Sequence, residues 1–171
     1  MNKLLVTLIL LSSPLKADQV SVIFGGSSYH LNDRKVDITK DCNYSPCQSE
    51  TINYDYNSNH NLIGIKYNDI ILSKFNNSFY RESVLLAYDF ELIQVDRSFL
   101  SMDYKLSLIA GLVTGYKGET RTRINDQLSF YISPNLETRY PINSELSISL
   151  NTSIIGSFDV VINSLSINYN F

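Results

Sequence analysis

The last eight residues alternate. Leu165, Ile167, Tyr169 and Phe171 are apolar or aromatic, and Ser164, Ser166, Asn168 and Asn170 lie between them. An extended strand points successive side chains to opposite faces, so this run has one apolar face and one polar face. The apolar face closes the chain on an aromatic ring. A water-soluble calyx would turn such a face inward, around a core. A barrel in a bilayer turns it outward, with aromatics at the membrane–water boundary and the polar face lining the lumen.

The same period recurs upstream. Strand-like runs cover residues 20–31, 61–67, 70–77, 83–93, 100–116, 127–139, 145–152 and 160–171, the sixth interrupted at Pro134. In the fourth run Val84, Leu86, Tyr88 and Phe90 share one face, and Ser83, Leu85, Ala87 and Asp89 share the other. A charge on a lipid-facing position near the midplane costs about 2–4 kcal/mol, so Asp89, Asp103 and Lys105 are expected to point inward. The first, fifth and seventh connections are long and the even-numbered ones are short, as expected if long loops gather at one end. Residues 32–57 read as one large polar loop. The expected fold is all-β: an eight-stranded antiparallel transmembrane β-barrel, with the soluble calyx as its rival.

The first 17 residues read as a secretory signal. Lys3 precedes a short apolar run, Ser12, Ser13 and Pro14 break it, and Ala17 offers a small residue for cleavage. The run is far shorter than the ~20 residues of a spanning helix. Residues 18–171 then form one barrel domain, expected in the cell outer membrane as a monomer. The 14 Lys and Arg against 17 Asp and Glu leave a net charge of −3, which excludes nucleic acid as a partner, because phosphate binding needs a concentrated basic surface. Cys42 and Cys47 read as a small loop disulfide, formed in an oxidising compartment. Zinc would need two further ligands, and His30 and His60 lack ligand spacing to the pair. No cofactor is expected.

Several short motifs stand in a fixed order. The first run ends Ser27-Ser28-Tyr29-His30, the second is preceded by Tyr56-Asn57-Ser58-Asn59, and the third is followed by Asn76-Asn77-Ser78-Phe79. Ala87-Tyr88 lies in the fourth and Ala110-Gly111-Leu112-Val113-Thr114 in the fifth. This ordering resembles the lipid A palmitoyltransferases of the outer membrane (PagP-like) over most of residues 24–171. The resemblance implies an eight-stranded barrel that holds a phospholipid acyl chain in its upper half and transfers it to lipid A. It also implies a catalytic constellation in which His30 and Ser78 match the family's His and Ser, and Asn77 stands where the family has Asp. The chemistry requires a base for the attacking hydroxyl and a group to stabilise the oxyanion. An amide can orient a partner but carries no charge.

Two departures from the family matter. The helix that precedes its barrel is lacking, and Asp89 falls where the family has the glycine that sets the depth of the acyl pocket. A carboxylate there needs a partner, and Lys105 on the neighbouring run is a candidate. Asp89 as pocket floor implies a chain shorter than palmitoyl. Lys117, Arg121 and Arg123 form either a lipid A phosphate contact or a plain solvated loop. Asn77-Ser78 likewise reads as part of the catalytic set or as a polar turn. The rival functions are a non-enzymatic small barrel, structural or surface-binding, and a lipid hydrolase on the same scaffold. An enzyme needs an apolar, open upper lumen, whereas a structural barrel is plugged by paired polar groups.

Overall fold

A computed structural model describes residues 18–31, 35–39, 49–53, 55–96, 101–116, 124, 127–155 and 160–171. The strands are β1 (Gln19–His30), β2 (Lys35–Thr39), β3 (Ser49–Asn53), β4 (Asn59–Tyr67), β5 (Ile70–Asn76), β6 (Glu82–Val95), β7 (Asp103–Thr114), β8 (Leu128–Pro141), β9 (Leu146–Ile155) and β10 (Val160–Asn170). Eight of them close into an antiparallel barrel in the order β1-β10-β9-β8-β7-β6-β5-β4. The alternating C-terminal run closes it: Val20 pairs with Tyr169 on one side of β1 and with Tyr67 on the other. The Phe171 N–H donates to the Asp18 carbonyl at 2.9 Å.

The distribution of polarity is inverted relative to a water-soluble barrel. Among the described residues the buried apolar side chains are Ile71, Leu85, Ala87 and Val113, all at the β5–β6–β7 wall. Most other buried positions are Ser, Asn, Lys, Asp or Glu on the inward faces. The outward faces carry Ile63, Ile65, Leu72, Leu86, Phe130, Ile132, Leu150, Ile167 and many more like them, all exposed. Tyr29 and Tyr80 are exposed at one end of this band, and Tyr67, Tyr140, Tyr169 and Phe171 at the other. A soluble calyx requires the opposite arrangement.

Three features differ from the sequence expectation. Within the long polar stretch 32–57, β2 and β3 pair with each other as a separate two-stranded sheet. Their short alternations, Lys-Val-Asp-Ile-Thr and Ser-Glu-Thr-Ile-Asn, were overshadowed by the polarity around them. Next, β9 runs on to Ile155, where a loop was expected from residue 154. Finally, β8 passes through Pro134 without a break. Pro134 still pairs with Leu108 on β7, and the β8–β9 ladder begins only at Asn135 opposite Ser153. The missing N–H therefore falls beyond that ladder. The Ile154 carbonyl accepts the Ser133 hydroxyl at 2.9 Å, which keeps the acceptor satisfied.

The described turns and loops segregate to two ends. The Asn68-Asp69 turn, residues 142–145, Asp18 and Phe171 lie at one end, the turn end. Residues 77–81, His30 at the end of β1, Thr114 at the end of β7 and Ile155 at the end of β9 lie at the loop end. The expected signal (1–17), the Cys42–Cys47 pair and the basic residues Lys117, Arg121 and Arg123 lie outside the described residues.

Candidate lumen site

The loop end is organised by amides. Asn77 is fully buried, directly after β5. Its Oδ1 accepts the N–H groups of Phe79 (2.9 Å) and Arg81 (3.1 Å), and its Nδ2 donates to Ser83 Oγ (3.1 Å) and the Gly115 carbonyl (3.0 Å). Gly115 has φ +90°, and a Cβ there would lie 2.3 Å from Ser83 Oγ, so glycine is needed for this approach. Asn57 adds a second tie. Its side chain donates to the Asn77 carbonyl at 3.2 Å, and its N–H donates to the Ser78 carbonyl at 3.0 Å.

The residue before it, Tyr56, stacks face to face on His30, with centroids 4.3 Å apart and planes 6° apart. Tyr56 meets the edge of Phe79, which meets the edge of Tyr116. The segment 56–57 thus joins His30 on β1 to Asn77 and Ser78 after β5. The structure brings the three residues expected from the sequence to one end of the barrel. Both ends of the Asn77 amide are engaged in shaping the loop that carries Ser78.

Below this rim lies a cavity of about 90 Å³. Ile71, Phe75, Leu85, Ile109, Tyr131 and Ile162 are among its apolar lining, and His60, Lys66, Asp89, Glu137 and a series of Ser and Asn side chains line the rest. His60 is the second residue of β4 and only 2% exposed. Its Nδ1 lies 2.6 Å from the Asn76 carbonyl oxygen, and its ring meets the edge of Phe75. A bulge in β1 makes room for it. Gly25 and Gly26 both have φ +88°, and a Cβ on Gly26 would stand 2.9 Å from Leu62 Cβ and 3.1 Å from His60 Cβ.

Charges close the cavity at mid-barrel. Asp89, 2% exposed, points inward as expected. Its Oδ2 accepts the ammonium groups of Lys66 and of Lys105, the latter at 2.7 Å. Lys105 also meets Glu137 at 3.1 Å, and Glu137 accepts from Arg139 (2.8 Å) and the Ser149 hydroxyl (2.8 Å). This chain of ion pairs crosses the lumen as a septum. Beyond it a polar cavity of about 220 Å³ opens to the turn end, lined by Gln19, Asn68, Asp69, Glu91, Gln94, Lys105, Arg139 and Asn170. Each buried charge here is close to an opposite one, the condition under which a buried ion tolerates desolvation.

The sequence reading found Asp89 and its candidate partner Lys105, whose side chains meet along one inward face although Asp89 stands opposite Ile109 and Lys105 opposite Gln94. It missed Lys66, His60 and Glu137. For His60 and Lys66 the signal was parity: His60, Leu62, Gly64 and Lys66 share one face of β4. No family model matches the chain, and no curated protein matches it. The class defined by the described residues is a closed eight-stranded barrel with an apolar outside, a rim of polar loop residues and a lumen divided by ion pairs.

Proposed function

We propose that this chain is an outer-membrane protein that takes the acyl chain of a phospholipid ester into its loop-end half-lumen and moves the acyl group to a lipid A hydroxyl. The exposed apolar band bounded by tyrosines supports the membrane position. The observation that carries the acyl-transfer reading is the divided lumen. A cavity lined by Ile71, Phe75 and Leu85 on one side and by the Asp89 and Glu137 ion pairs on another lies under a rim that brings His30, Asn77 and Ser78 together. In this reading an imidazole accepts the proton of the attacking hydroxyl, Ser78 hydrogen-bonds the reacting ester, and Asn77 shapes the Ser78 loop.

The floor sets the acyl length. A cavity of about 150 Å³ holds one benzene molecule. The space here is about 90 Å³, with Asp89, Lys66 and Glu137 in its lining. It suits a short acyl chain and not a palmitoyl chain. A second reading is favoured by the septum itself: a non-enzymatic barrel whose lumen is plugged by ion pairs and hydroxyls.

Mass spectrometry of lipid A separates the two. After expression in a strain lacking its own acyltransferase of this kind, the first reading gives lipid A heavier by one short acyl group, and Ser78→Ala removes that mass. Unchanged lipid A in the presence of folded protein sinks the acyl-transfer reading and leaves the plugged barrel. Release of free fatty acid without heavier lipid A would mean that water is the acceptor.

A further inference from the structure

We propose that His60, and not His30, is the proton-accepting residue facing a ligand hydroxyl in the lumen. The inference rests on the acyl-transfer reading for its chemistry and on geometry for its assignment. The Asn76 carbonyl can only accept a hydrogen bond, so at 2.6 Å the Nδ1 of His60 carries the ring proton. The neutral ring then presents a lone pair at Nε2. That atom is buried, has no hydrogen-bond partner among the described residues, and belongs to a side chain lining the cavity beside Leu62, Ile71 and Phe75. Phe75 meets the ring edge-on, and the absence of a side chain at Gly26 lets β1 pass close to the His60 Cβ. His30 stands at the rim with its face covered by Tyr56, and it is not among the residues that line the cavity.

The step balances with no further reactant. As the oxygen of the acceptor hydroxyl bonds to the ester carbonyl carbon, its proton passes to His60 Nε2. The positive charge of the ring is stabilised through Nδ1–H and the Asn76 carbonyl, in the way a base is oriented by a hydrogen bond at its far nitrogen. When the tetrahedral adduct collapses, the bond from carbon to the original alcohol oxygen breaks. Nε2 then returns the proton to that leaving oxygen. The ligand class is an ester of a short acyl chain, with the chain toward Ile71 and Leu85 and the carbonyl toward the rim.

The test uses the full chain in vesicles of phosphatidylethanolamine and lipid A, with acyl transfer followed from pH 5 to pH 9. Wild-type turnover should rise with pH through one ionisation. His60→Gln should lower kcat by about 100-fold or more, leave KM nearly unchanged and flatten the pH profile. His30→Gln should lower turnover yet keep the pH-dependent limb. A His60→Gln protein that keeps both its rate and its pH profile overturns the assignment. If the wild type transfers nothing, the acyl-transfer reading fails by itself. The His60 assignment is then decided by ¹⁵N spectroscopy of the labelled imidazole with hexan-1-ol as probe. It predicts a protonated Nδ1, and an unprotonated Nε2 whose resonance moves on adding the alcohol. A protonated Nε2, or no movement, overturns it.

Discussion

Asn77 shows how much one side chain can hold. Its amide donates twice and accepts twice, and each bond ties a different part of the loop end. Asp at this position keeps the two acceptor bonds but sets a carboxylate oxygen against the Gly115 carbonyl, where no proton is available. We therefore expect Asn77→Asp to lower stability by about 1–3 kcal/mol, measured by urea unfolding in detergent, and not to raise turnover. Asp89 is the counterpart at mid-barrel. Asp89→Asn leaves the Lys66 and Lys105 ammonium groups without their shared carboxylate, and should cost about 3–5 kcal/mol in the same measurement. The Asp89–Lys105 pair was legible in the sequence because adjacent strands place both on one inward face. Lys66 was not, because β5 stands between β4 and β6, and a contact across the lumen depends on the barrel radius.

At the scale of elements, strand existence was legible wherever side chains alternate, and the parity of β6 and β7 was read directly from residues 83–90 and 102–112. Local residue types misled in two places. Pro134 suggested an interruption, yet its missing donor falls where the β8–β9 ladder has not begun, and Ser133 supplies the bond that Ile154 would otherwise lack. Ser133→Ala should therefore destabilise by about 1–3 kcal/mol in urea unfolding, although only a hydroxyl is removed. The other place is residues 32–57, where polarity concealed the β2–β3 pairing. The glycine bulge of β1 is an element-scale device as well. Gly26→Ala should disturb the His60 end of β4, and the check is a change in His60 amide and ring resonances larger than any at the turn end.

At the scale of the whole molecule, one inversion of polarity underlies everything else. Serines, asparagines and paired charges fill the lumen, and isoleucines, leucines and phenylalanines face outward around the barrel. Water cannot be the solvent of that outer surface without association or collapse, since exposed apolar patches of this extent mark a buried surface. The proposed function depends on the same inversion, because in that reading a lipid ester would reach the rim from a bilayer. The most direct test is sedimentation and far-ultraviolet circular dichroism of the full chain with and without detergent. The account predicts a folded, β-rich monomer in detergent micelles or lipid vesicles, and aggregation when detergent is removed. A chain that stays folded and monodisperse in plain buffer would contradict it.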